Sequence, residues 1–129
     1  MASELRLTTL ANNAGTESVD TTYVINGSAK AWVNFDADGS GIPVFDSFNI
    51  SSTSDVDTGI YVVYFSNSFG TVNYTITNGN SGNAGAGCAF TTNYNTWTTG
   101  GTGVKNIRCY DDSRVDVGIG HLAIHGDLA

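Results

Sequence analysis

Residues 29–50, AKAWVNFDADGSGIPVFDSFNI, constrain the fold more than any other stretch of the chain. Ala29, Ala31, Val33 and Phe35 share one parity; Lys30, Trp32 and Asn34 share the other. Successive side chains of a strand point to opposite faces, so this pattern specifies a strand with one buried face. Residues 36–41 supply turn chemistry: glycines free to take positive φ, and aspartates able to bond their own backbone. The second limb, residues 44–50, brings Phe45, Phe48 and Ile50. The whole reads as a β-hairpin. Pro43 lacks a ladder donor, which places the second limb at a sheet edge or starts it late.

The remaining chain repeats this cadence. Residues 23–26 are a short strand candidate, ended by Asn26-Gly27, and residues 51–59 read as a polar turn region. IYVVYF, residues 60–65, is the most hydrophobic run and suits a strand buried on both faces. Val72, Tyr74 and Ile76 alternate with polar residues, as a half-buried strand paired with that run. Residues 78–87, NGNSGNAGAG, read as an exposed loop. Strands are expected at 88–97 and around Lys105, Ile107 and Cys109. Val117 and Ile119 have the opposite parity to Leu122 and Ile124, so residues 118–120 mark a bulge. No helical period is evident. With 16 glycines, one proline and only 13% charged residues, the expected fold is all-β: an antiparallel sandwich or jelly-roll-like domain of eight or nine short strands.

The chain of 129 residues suits one domain. Residues 21–129 are expected to form it, preceded by a short extended N-terminal arm, residues 1–20. Leu5, Leu7 and Leu10 give that arm an apolar stripe, useful only against a partner surface. A net charge of −7 is poorly matched to a phosphate backbone, so no nucleic-acid partner is expected. No signal peptide is evident, and no run reaches the roughly 20 apolar residues of a membrane helix. Synthesis in a cytoplasm without membrane insertion is the expectation. In a reducing cytoplasm Cys88 and Cys109 read as two buried thiols, and they could pair only if their strands are neighbours.

Chemistry-bearing motifs are sparse. Asp36, Asp38 and Ser40, with Gly41 sixth, match the front half of a calcium loop, but Ser47 stands where a bidentate Glu is required. Asp36 and Asp38 are therefore read as turn residues. His121 and His125 share a strand face but lie roughly 13 Å apart, too far to chelate one ion. No nucleophile elbow, catalytic cysteine signature, carboxylate dyad or phosphate loop is present. No metal, cofactor or catalytic residue is expected, and the chain reads as a non-enzyme. Trp32, Tyr94 and Trp97 stand in polar, turn-rich surroundings. They are either ordinary core or interface residues, since large aromatics are mostly buried, or the candidate contacts for a glycan or a protein partner.

The blocks Lys30-Ala31-Trp32-Val33-Asn34-Phe35, Asp46-Ser47-Phe48-Asn49-Ile50-Ser51-Ser52 and Gly59-Ile60-Tyr61-Val62-Val63-Tyr64-Phe65 resemble a module of tailed-bacteriophage virion proteins, particularly of marine and cyanobacterial phages. The opening Ser3-Glu4-Leu5-Arg6 and the closing Gly126-Asp127-Leu128-Ala129 resemble the flanks of such proteins. The resemblance implies a β-rich homotrimer on the virion surface, as fibre, knob or capsid decoration, with no enzymatic activity. It implies that the leucine-bearing arm meets sibling subunits or a capsid or tail protein. A tail fibre needs an attachment domain and a shaft, so the length favours a head-fibre knob or decoration. The alternative is a tail-fibre tip that grips host surface glycans.

Overall fold

The computed structural model describes residues 5–38, 41–81, 88–109 and 111–129. Two four-stranded antiparallel sheets pack face to face over one core. The described residues are all-β apart from one short helix.

The first segment is a hairpin, β1 (Thr9–Ala11) with β2 (Ser18–Asp20), followed by α1 (Thr21–Gly27). Where an extended arm is expected, the described residues before residue 20 fold back on themselves as paired strands. Asn12 organises the turn, accepting from the Thr16 and Glu17 amides, and Gly15 takes φ +67° there. Residues 23–26 are helical and not a strand. The Asp20 carboxylate caps α1 by accepting from the Thr22 amide at 2.7 Å, which offsets the poor helix propensity of TTYVING. The Thr21 hydroxyl donates to the Leu7 carbonyl and ties α1 to the hairpin. No residue of these three elements is buried.

The sandwich begins with β3 (Ala31–Ala37) and β4 (Val44–Phe48), the expected hairpin, in the register Trp32↔Phe48, Val33↔Ser47 and Asn34↔Asp46. β3 continues through Asp36 and Ala37, both expected in the turn; the Asp36 carboxylate accepts from the Asp38 amide where the strand ends. Pro43 precedes β4, which lies at a sheet edge. Residues 51–57 are strand and not turn, and Ile50, expected in the second limb of the hairpin, begins it: β5 (Ile50–Asp57) pairs with β6 (Ile60–Phe65), leaving only Thr58 and Gly59 to turn. β5 is an edge strand, so its polar residues meet water on their open side. In β6, Tyr61, Val62, Val63 and Phe65 are buried, whereas Tyr64 is 40% exposed. Double-sided burial therefore holds only for the centre of the strand.

β7 (Thr75–Ser81) does not pair with β6, whose two flanks are occupied by β5 and β9 (Gly101–Arg108). It crosses to the other sheet and pairs with β10 (Val117–His125). Asn78–Ser81 are therefore ladder residues, and the rest of the expected loop, 82–87, lies outside the described residues. β8 (Cys88–Thr98) pairs with β9. The sheet orders are β4-β3-β10-β7 and β5-β6-β9-β8. Among the described residues, eight strands make the sandwich and two the N-terminal hairpin.

The inner faces carry Ala31, Val33, Phe35, Leu122 and Ile124 from one sheet and Tyr61, Val63, Phe65 and Val104 from the other. Phe35 meets Tyr61 edge-on at 5.6 Å. The bulge expected at 118–120 is present, with the register shifting between Val117 and Ile119. It turns Leu122 and Ile124 inward and His121 and His125 outward.

Candidate functional site

The outer face of the β4-β3-β10-β7 sheet follows from these registers. Partners across an antiparallel ladder lie on the same face. Trp32 is opposite Phe48 on one side and Ala123 on the other, and Ala123 is opposite Thr77. The next row runs Asp46, Asn34, His121, Gly79, and beyond it come Asp36, Ile119 and Ser81. An aromatic row thus lies directly beside a polar one. Trp32 is 36% and Phe48 54% exposed, and His121, Asp46 and Thr77 are open to solvent. Gly79 leaves the His121 ring uncovered, since even a Cβ there would only just touch it, at 3.9 Å.

Polar groups on this face are incompletely used. Asp46 accepts from the Ser47 amide through one oxygen at 2.8 Å. Asn34 Oδ1 is shielded from solvent and has no hydrogen-bond partner among the described residues. Lys30 turns away: its ammonium donates to the Ile25 carbonyl and, at 2.6 Å, to the Ser28 hydroxyl. The face therefore carries carboxylates without a neighbouring lysine.

The other aromatic candidates sit elsewhere. Trp97 stacks on Tyr74 at 4.8 Å and 7°, and its indole N–H donates to the Val72 carbonyl. One ring face and the only donor of Trp97 are thus engaged within the fold. Tyr94 is on β8, the far sheet, and its side chain lies outside the described residues. The structure does not bring Trp32 and Trp97 to one surface. Phe48, Asp46 and His121, absent from the candidates drawn from sequence, are the residues that do join Trp32.

A second surface lies on residues 5–28. Leu5 is 81%, Tyr23 75% and Ile25 60% exposed. Leu5, Leu7, Leu10, Val24 and Ile25 line an open groove of about 430 Å³. The three leucines singled out in the sequence are thus brought together with the apolar side of α1.

Two further arrangements serve the fold. The Tyr61 hydroxyl donates to the Ala37 carbonyl at 2.7 Å and to Asp116 at 3.0 Å, while Asp116 also accepts from the Gly59 amide. Burial, then the Asp116 carboxylate, pushes the Tyr61 phenol well above its usual range. Cys109 is a free thiol, exposed and not buried as expected, because it follows the end of β9 at Arg108. Cys88 faces Arg108 across the β8–β9 ladder, and its side chain is outside the described residues. No group of three or more His, Cys, Asp or Glu able to hold a metal occurs among the described residues. No family model, curated protein or solved structure matches the chain, so the likeness to phage virion proteins rests on the quoted blocks alone.

Proposed function

We propose that this is a non-enzymatic structural protein of a bacteriophage virion exterior, a trimeric capsid decoration or head-fibre knob. The observation that carries this reading is the uncovered apolar surface of residues 5–28, attached to a sandwich that has its own closed core. Contiguous exposed apolar surface marks an interaction site. On this reading the N-terminal unit binds sibling subunits and the capsid, and the sandwich is what the particle displays. The KAWVNF and DSFNISS blocks supply the phage context.

Light scattering of the purified protein is expected to give a trimer, and immunogold labelling of intact particles to decorate heads. Replacing Leu5, Leu7 and Leu10 together with Ser should abolish particle attachment and trimer formation while leaving the melting of the sandwich unchanged. A wild-type monomer that labels no particle would end this proposal.

A further inference from the structure

We infer that the outer face of the β4-β3-β10-β7 sheet is a binding site for a neutral saccharide, with one pyranose ring stacked on Trp32. The inference stands on the sheet geometry and needs no place on a virion.

The aromatic row offers what a sugar's C–H face requires. The Trp32 indole is flat and partly exposed, and Phe48 lies opposite it across the ladder. An aromatic ring with polar neighbours suits a ligand that is apolar on one face and hydroxylated at its rim. The polar row is correctly placed for that rim. Adjacent strands lie about 4.8 Å apart and same-face rows about 6.8 Å apart. A ring over Trp32 therefore has hydroxyls within reach of Asp46, Asn34 and His121 on three neighbouring strands. These supply a carboxylate acceptor, an amide that both donates and accepts, and an imidazole.

Asn34 is the most telling of them. A shielded acceptor without a donor is unfavourable, and native structures seldom leave one unpaired. The terminal torsion of an asparagine is soft, so rotation brings Oδ1 or the amide N–H2 to a hydroxyl above the sheet. Gly79, Ala123 and Thr77 are small and leave the surface beside Trp32 low enough for a second sugar residue.

Charge excludes acidic ligands. Asp36 and Asp46 lie on the face, and Lys30 is drawn to the Ile25 carbonyl of α1 and to Ser28. A phosphorylated, sulfated or carboxylated glycan would meet carboxylates with no lysine to offset them. Area argues against a protein partner: four strands by three rows give on the order of 300 Å², short of the roughly 800 Å² per partner in a stable interface.

The test is titration of the full chain with neutral oligosaccharides of glucose, mannose and galactose, followed by indole N–H resonances in NMR. Trp97→Phe identifies the Trp32 signal by elimination. Saturable movement of the Trp32 signal is expected with at least one of the three sugar series. Trp32→Ala should weaken binding at least about tenfold, as loss of the platform requires. Trp32→Phe should recover part of it, and Asn34→Ala should weaken it without changing the oligomeric state. No response to any of the three series would overturn the inference. So would affinity unchanged in Trp32→Ala, or dissociation of the oligomer by that substitution, which would make the face a subunit contact. Particle labelling is independent of all these outcomes, so failure here leaves the virion proposal standing.

Discussion

Gly120 is the position where one added methyl should report most directly on the sandwich. A Cβ on Gly120 would lie 2.5 Å from Phe35 Cζ, 2.8 Å from Cε2 and 3.0 Å from Cε1. Carbon atoms pack at about 3.5–4.0 Å, so the overlap is roughly 1 Å against the end of the ring. Phe35 is fully buried and meets Tyr61 edge-on. The Tyr61 hydroxyl is held by Ala37 and Asp116. The ring can recoil only by displacing an anchored neighbour. Gly120 has no positive φ, so its backbone accepts alanine, and the whole cost of Gly120→Ala falls on packing. Overpacking a tight core costs about 1–3 kcal/mol. The anchored ring places this case near 2–3 kcal/mol, a fall in Tm of roughly 6–15 °C for a domain of this size. Calorimetry of Gly120→Ala in wild-type and Phe35→Leu backgrounds separates the cause. With the ring removed, the alanine should cost less than about 1 kcal/mol, giving a coupling of at least about 1 kcal/mol. An equal cost in both backgrounds would refute the ring-clash argument and place the requirement in the bulge itself.

Asn49 sits at φ 58° between β4 and β5, where the chain passes from one sheet to the other. Its amide donates to the Lys30 and Asn67 carbonyls and accepts from the Asn67 amide at 2.7 Å. Asn49→Gly should cost about 1–3 kcal/mol through the lost hydrogen bonds. Asn49→Ala should cost about 1 kcal/mol more, because alanine is strained at positive φ; equal urea midpoints would remove strain from the account. Tyr61 sets an alkaline limit. Its folded pKa is raised by burial and by Asp116, so the unfolded chain loses this proton first, near pH 10. The stabilisation from keeping the phenol protonated is complete below that pH and is lost as pH rises toward the folded value. Unfolding followed by circular dichroism should therefore begin above about pH 10, and Tyr61→Phe should flatten that dependence while lowering stability at neutral pH.

The parts of the fold legible in sequence are those where burial differs between the two faces of a strand. β3 reads directly, because Ala31, Val33 and Phe35 are buried and Trp32 is not. The bulge reads from the parity change between Val117 and Leu122. β5 does not read, because both faces of an edge strand can remain polar without cost. β7 does not either: TITNGNS has little apolar content, and its ladder is supplied by β10, far along the chain. α1 is hidden for a different reason, since its start is fixed by one capping carboxylate and not by periodicity. The candidate site divides in the same way. The outward direction of Trp32 follows from parity, but its neighbours Phe48, Asp46 and His121 follow from register, which depends on which strands pair.

That dependence bears on how the two surfaces could act together. The uncovered surface of residues 5–28 is dominated by aliphatic side chains, suited to a dry contact with another protein surface. The outer sheet face is one indole, one phenyl and a row of hydrogen-bonding groups, suited to a small hydroxylated ligand. Lys30 stands at their junction, between Ser28 and the first residue of β3, and commits its charge to the α1 side. Substitution of Lys30 should therefore loosen α1 and leave the carboxylates of the sheet face as they are. Trp32 lies on the sheet between Phe48 and Ala123, whereas Leu5, Leu7 and Leu10 line the groove beside α1, so substitutions at the two places should act additively, as separated sites do. Loss of the leucine surface and loss of the Trp32 platform should then be separable by mutation.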